Sequence, residues 1–461
     1  METSPGGLSY EVAQMLRCWQ SPDVRHGERG VTIVFVALAM VAILAIAALS
    51  IDVIVLYLAK EEAQRSADAA ALAAARVLSL SGVTGDPQYN DVSSWQEACN
   101  QARLVAQAMV NQNTIGRGLA NVVTVTFLYN GAATDCTGGA AFAVNPQVKV
   151  DVTRQALPNY FSRIWNRTGN SASATATAEA FNPSNSGSIA PNGIITVSPK
   201  CVKPWIVPNQ DPSNPANKFV GLLDGSIQNK GIQLDGSGIG GVIGETFTLV
   251  SDCRTGNPNC SGGLTDNPPT ANSATHTLDY VPALVAGTAG AVPSCAVATD
   301  YQQATGGCDQ STVYACGVVG GGVQADLTFD PGKPNGETST ATQCLIHQPG
   351  QDWLDSASSA RLLLERMRAG PNNPAVTSGT SITSSNSIVS LPIYDTPGQL
   401  LGSNPPVTIV GFLQVFINNV DSNGNVNVTV LNVAGCSNTA TTSTPTVSGT
   451  SPVPVRLITP Q

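Results

Sequence analysis

The chain has 461 residues, with 22 Lys and Arg against 31 Asp and Glu for a formal net charge of −9, and only 11% charged and 5% aromatic residues. That length admits about two to three domains with buried cores, while the acidity and the lack of any Lys/Arg cluster argue against a duplex-binding face, so nucleic acid is not an expected partner. The 44 Gly and 30 Pro, with abundant Ser, Thr and Asn, suit turn-rich β structure outside the cell.

Residues 1–29 read as a short cytoplasmic tail and residues 30–58 as a transmembrane helix. From Gly30 to Ile51 the sequence is apolar, with no charge between Arg29 and Asp52. As a helix this run is long enough to cross a hydrocarbon core of about 30 Å. Ala45-Ile46-Ala47 has the small-residue spacing of a signal-peptidase site. The apolar run nevertheless exceeds a leader's usual core and the segment before it is long, so an anchor is expected rather than a cleaved leader. Arg17, Arg25 and Arg29 before the span, against Lys60 and Arg65 after it, orient it only weakly.

The cysteines decide the orientation. Cys18 alone precedes the span. Cys99, Cys136, Cys201, Cys253, Cys260, Cys295, Cys308, Cys316, Cys344 and Cys436 follow it, an even set suited to disulfides in an oxidising compartment. The alternative is a set of buried free thiols in a cytosolic protein. No CxxC pair occurs and the only histidines are His26, His276 and His347, so no structural zinc site is expected.

Past the span, no Gly or Pro occurs before Gly82 and alanine dominates, which predicts that the helix continues to about Leu80. At 100° per residue Asp52, Leu56, Ala63, Ala67, Ala70 and Ala74 share one face, with Glu61, Glu62 and Arg65 elsewhere. Such a smooth face suits close approach of another helix, including a homo-oligomer through the Ala-rich stretch. Packing within its own domain is the alternative. Asp52 also marks the edge of the hydrocarbon, where an acid is far less costly than at the bilayer centre. A helix over about Ser93–Gln112, strands over Val122–Tyr129, Gln147–Thr153 and Ser171–Phe181, and a short helix near Pro158–Trp165 complete a small α+β unit.

Gly30, the apolar run, Asp52, Tyr57, Gln64 and the stretch Ala67-Asp68-Ala69-Ala70-Ala71-Leu72-Ala73 resemble the N-terminal segment of TadE/TadG-like proteins of the Flp, or tight adherence, pilus assembly system. The stretch from Gln147 to Phe181, with Pro158-Asn159-Tyr160-Phe161 inside it, is similar to the end of the same module. The resemblance covers about 150 residues and implies a single-pass accessory component in the bacterial inner membrane, non-catalytic, with pilin or other pilus-assembly proteins as partners. Phe35 stands where prepilin-like relatives carry the Glu of a peptidase site, so that processing is not expected. Asp235-Gly236-Ser237-Gly238-Ile239 departs from the metal-binding loop of a von Willebrand factor A domain, which is not assigned.

Residues 59–181 are thus read as a TadE/TadG-like α+β module, 182–192 as a linker, and 193–461 as a β-rich, disulfide-bearing exoplasmic domain. There, short apolar runs such as ITVS, WIVP, FVGLL, FTLVS and YVPALVAG predict strands, one helix is expected over about Asp355–Ala369, and Val407–Val420 with Asn425–Val433 reads as a central hairpin. VPVRLIT near the end suits an edge strand. The fold class is α+β.

No catalytic, cofactor-binding or metal-binding residues are assigned. Gly236, Gly238 and Gly241 satisfy GxGxxG, but a strand rather than a helix follows. Asp421–Asn425 resembles a calcium loop, but Val426 and Asn432 occupy the positions of its Gly and bidentate Glu, which favours a hairpin turn. His347 has Asp352 near it in sequence, with Asp326 or Asp330 able to approach in space. A membrane-tethered hydrolase would need His276, His347 or paired acids brought together in a cleft. A surface adhesin acting through residues 193–461 is the other alternative.

Overall fold

The structure, a computed structural model, describes residues 28–85, 92–129, 132–136, 145–161, 169–181, 195–199, 201–222, 227–229, 231–238, 240–252, 270–285, 299–308, 314–316, 319–325, 333–395, 406–436, 447–448, 453 and 455–458. The expected linker, Arg17, Arg25, Cys18, Asp326, Asp330, Cys253, Cys260 and Cys295 lie outside these residues. The chain is α+β: one long N-terminal helix, further helices, and a β-rich C-terminal region. It divides into two compact units, Met1–Ala59 with Gln155–Ser171, and Lys60–Arg154 with Ala172–Gln461.

Helix α1 (Glu28–Leu80) runs unbroken for 53 residues, about 80 Å at 1.5 Å per residue. No Gly or Pro interrupts Val31–Leu80, and alanine, the best helix former, fills its second half. The helix stops where Gly82 takes φ +79°. A Cβ there would lie 2.6 Å from Ile243 Cγ2 and 3.1 Å from the Leu431 carbonyl, so only glycine fits. Helix α2 (Val92–Gln112) buries Trp95, Ala98, Cys99, Ala102, Ala106 and Val110 along one face, the periodicity that predicted it.

A five-stranded sheet has the order β18-β4-β3-β1-β2, formed by β1 (Val122–Tyr129), β2 (Ala132–Thr134), β3 (Gln147–Leu157), β4 (Asn170–Ala180) and β18 (Val455–Ile458). The alternation of buried Val148, Val150 and Val152 with half-buried neighbours gives β3 one core face. The edge strand expected at VPVRLIT is β18. Its partner is β4, antiparallel with Val455 opposite Ala180, and Arg456 forms an ion pair with Glu179.

The large sheet joins β6 (Trp205–Pro208), β7 (Thr246–Ser251), β8 (Ala271–Asn272), β9 (Thr277–Val285), β11 (Val319–Ala325), β14 (Ile388–Tyr394), β15 (Pro406–Val420) and β16 (Val426–Gly435). Its pairings return to their start: β15 pairs β14, then β6, β9, β7 and β16 follow in turn, and β16 pairs β15 again. Such closure leaves these strands without a free edge. Short strands β5 (Ile195–Ser198), β10 (Tyr314–Cys316) and β17 (Val447–Ser448) form a third sheet.

Helices α3 (Asp300–Gly306) and α4 (Lys333–Ile346), neither predicted, pack on each other. Thr299 and Gln302 form a capping box at α3. Tyr301 Oη and Tyr280 Oη both meet Thr338 Oγ1 of α4, at 2.9 and 3.2 Å, and Trp205 Nε1 donates to Tyr301 Oη at 3.0 Å. Burial raises the pKa of both tyrosines, which keeps them neutral.

Two expectations are corrected. The helix over Asp355–Ala369 shrinks to one turn, α5 (Leu363–Arg366), after which β13 (Met367–Arg368) pairs with β12 (Trp353–Leu354). Leu362, Leu363, Leu364 and Met367 are all buried, and three consecutive buried leucines would spread over about 200° of a helix, wider than one inward face. The FVGLL run forms no named strand; Val220 makes an isolated bridge to Ile227. Of the helix expected near Pro158–Trp165, Pro158–Phe161 is non-helical and the rest lies outside the described residues.

Candidate functional site

The first half of α1 is apolar and exposed: Ile33, Phe35, Val41, Ile43, Ile46 and Ile54 are each more than half accessible. Among the described residues it is the one helix long and apolar enough to cross a membrane. A water-filled surroundings would be unfavourable for so much apolar surface at about 25 cal/mol per Å²; hydrocarbon removes that cost. Asp52, at the end of this run, is 7% exposed. Its Oδ1 accepts the Tyr160 N–H at 3.0 Å and its Oδ2 the Phe161 N–H at 3.1 Å. The Pro-Asn-Tyr-Phe turn is thereby tied to the helix, and the Tyr160 and Phe161 side chains, like Tyr57, are exposed. Aromatic side chains at this depth suit the membrane–water interface. Both partners of this bond were singled out in the sequence, but the link between residues 108 apart was not.

Of the predicted packing face, Leu56 is half-buried, while Ala63, Ala67, Ala70 and Ala74 are wholly inaccessible. They are covered by this chain's own residues: Lys60 Nζ donates to the Ser173 carbonyl, and Gln64 Nε2 donates to the Thr175 carbonyl at 3.2 Å and to Asp68 Oδ1 at 2.8 Å. A homo-oligomer through these four alanines would require that packing to open. The helix end is equally engaged. The Val77 carbonyl accepts the Ser81 N–H and the Leu78 carbonyl the Ser81 hydroxyl. The Ser79 carbonyl accepts Asn432 Nδ2 of β16 at 2.6 Å, and the Ser79 hydroxyl donates to the Val453 carbonyl. Of the carbonyls that a helix C-terminus leaves orphaned, those of Val77 and Leu78 are thus satisfied locally by Ser81 and that of Ser79 by Asn432.

A family model for Flp pilus-assembly TadE/G-like proteins matches residues 30–77. The N-terminal module is TadE/G-like. The match takes in the span, Asp52 and the buried alanine face, ending at the turn that Asn432 caps. Comparisons with curated proteins and with solved structures return no match.

Beyond the matched residues, disulfides join Cys99 to Cys136 and Cys201 to Cys308. Cys344 and Cys436 are disulfide-bonded as well. Buried Lys203 lies two residues from Cys201, its Nζ donating to the Thr305 and Gly307 carbonyls at 2.7 and 2.5 Å, and burial pushes its amine down to about 7.

His276 Nδ1 contacts the Thr246 carbonyl, whereas His347 Nε2 meets Asn386 Nδ2 at 3.1 Å. His347 and Asp352 line one cavity of about 390 Å³, but Asp352 accepts from the Gly370 N–H, Asn373 and the Ser385 hydroxyl, which fixes it as a brace for the surrounding loops. Two acid pairs occur. Glu97 and Glu365 line a second cavity of about 410 Å³, and burial, then contact with Glu97, pushes Glu365 up to about 7. Asp211 and Glu245 are both fully buried. Burial, then the charge of Asp211, pushes Glu245 up to about 9. In each pair the two carboxyls lie within hydrogen-bonding reach of each other. Asp421 accepts the Asn423 and Asn425 N–H groups within the β15–β16 turn. Gly236–Gly241 leads into β7, a strand.

Proposed function

We propose that the chain is a membrane-anchored, non-catalytic component of bacterial Flp, or Tad-type, pilus assembly. Its N-terminus is cytoplasmic and its folded bulk lies on the periplasmic or extracellular side of the inner membrane. The observation that carries this reading is the coincidence of the TadE/G-like match with one unbroken helix, exposed and apolar in its first half and buried in its second. The disulfides after the span support the orientation, since such bonds persist in oxidising compartments. With the alanine face occupied, partner contacts fall to the exposed span and to the β-rich region, with pilin or other assembly proteins as the partners. Exposed large hydrophobics described in 193–461, Leu222, Trp353, Val376 and Leu457, are no more than 42% accessible, and no observation favours an adhesin over assembly.

The test compares pilin in sheared surface material and in membranes from a native strain, a strain lacking this protein and its complemented control. Loss of surface pilin with accumulation in the membrane supports the proposal. Unchanged surface pili would overturn it.

A further inference from the structure

We propose that Asp211, Asn229, Gly238 and Glu245 form a calcium site. Glu245 follows the Gly231–Gly244 loops and immediately precedes β7, and its side chain is inaccessible to solvent. Neither of its carboxyl oxygens has a hydrogen bond of good geometry, the nearest polar groups being the Ser213 backbone and the Asp211 carboxyl. The neighbouring acid, Asp211, is also 0% exposed, and its Oδ1 is taken by the Ser213 N–H and hydroxyl at 2.8 and 2.6 Å. Its Oδ2 meets Asn229 Nδ2 at 2.6 Å, and the same amide lies 3.4 Å from the Gly238 carbonyl. Gly238, at φ +75°, lets the loop close over the acids: a Cβ there would stand 2.4 Å from Ser213 Cβ and 3.0 Å from Glu245 Cδ.

Two buried carboxyls that face each other repel unless a proton or a cation lies between them. The remaining ligands favour the cation. The Glu245 oxygens, Asp211 Oδ2, the Gly238 carbonyl and the Asn229 side-chain oxygen, once the amide is turned over, form an all-oxygen set for a hard ion. With a water or two, they supply roughly the six to eight ligands that calcium takes at about 2.3–2.6 Å, in a flexible arrangement that magnesium tolerates poorly. Two carboxylates correspond to the weak affinities of extracellular modules, a Kd on the order of 10⁻⁴ to 10⁻³ M.

The experiment uses the full chain in lipid nanodiscs, titrated with calcium chloride by calorimetry and melted in calcium, in magnesium and in EDTA. Calcium at several millimolar should raise the melting temperature by roughly 3–8 °C over EDTA, with magnesium giving little. Glu245→Gln should bind at least tenfold more weakly and melt alike in all three conditions. Asp421→Asn, in the β15–β16 turn, should keep the full calcium shift. If Glu245→Gln does not fold, Asn229→Asp, which adds a carboxylate, should tighten binding instead. Identical melting of the native chain in calcium and EDTA would overturn the proposal and leave a shared proton between the acids. A calcium shift that survives Glu245→Gln would place the ion elsewhere and overturn it equally.

Discussion

Replacing Asp52 tests whether the aromatic turn is held to the membrane exit by its carboxylate. Asp52→Ala removes the acceptors of the Tyr160 and Phe161 N–H groups, at 3.0 and 3.1 Å. Hydrogen bonds to a charged group contribute about 1.5–3 kcal/mol each, so loss of both should lower the opening free energy of the turn by roughly 3 kcal/mol. At about 1.4 kcal/mol per factor of ten, amide exchange there should accelerate on the order of 10²-fold. Asp52→Asn keeps one acceptor oxygen and should give about a tenfold change. Hydrogen-exchange mass spectrometry of the full chain in nanodiscs reads this directly, with a peptide from β15 as internal reference. Equal exchange of the 155–161 peptide in native and Asp52→Ala proteins would refute the reasoning, as would uniform acceleration across the reference.

Three further predictions concern the folded region. Asn432→Ala leaves the buried Ser79 carbonyl without its 2.6 Å donor, which should cost about 1–3 kcal/mol, read as a lower denaturation midpoint and loosened exchange at the end of α1. Ala67→Leu or Ala70→Leu adds methylene volume to fully buried positions and should destabilise by about 1–3 kcal/mol each; unchanged stability with lost self-crosslinking would instead restore the interface reading. Lys203→Met removes an amine that burial depresses to about 7 in the folded chain from 10.5 when unfolded. A depressed folded value means that the native chain loses stability as pH falls from about 10 to 7, so its deficit relative to Lys203→Met should shrink by a few kcal/mol at pH 10. A pH-independent difference between the two would count against this.

Elements set by local chemistry were legible in the sequence. The apolar run, the absence of Gly and Pro and the alanine content define α1, alternation defines β3, and a run apolar on both faces before a Ser-Asn-Gly turn defines the β15–β16 hairpin. Helix α4 was not legible because the residues it buries are Thr338, Ser339 and Thr342 beside Ala341 and Leu345, a polar inner face whose partners, Tyr280 and Tyr301, come from distant elements. The run Leu362–Leu364 misled because its three consecutive leucines are all buried, which one face of a helix does not accommodate. Of the module, Asp52 and the Tyr160–Phe161 turn each stood out, but their bond depends on a chain path that periodicity does not encode. The Asp211–Glu245 pair gave no signal, since neither acid has a neighbour in sequence that marks it.

The capping of α1 bears on how an anchored component transmits its contacts. A helix joined to its domain by a flexible linker would pivot freely about its last turn. Here that turn is followed by a glycine with no room for a Cβ, its Ser79 carbonyl is held by a side chain 353 residues away, and its Ser79 hydroxyl meets a backbone group 374 residues away. Opening the joint therefore exposes buried polar groups on both sides, each of which costs about 1–3 kcal/mol when left unpaired. The alanines add to this, because four side chains with no accessible surface leave the turns above the joint no space in which to slide. Between Lys60 and Leu80 the helix is thus a built-in part of the folded region rather than a tether, and a displacement of either is passed to the other.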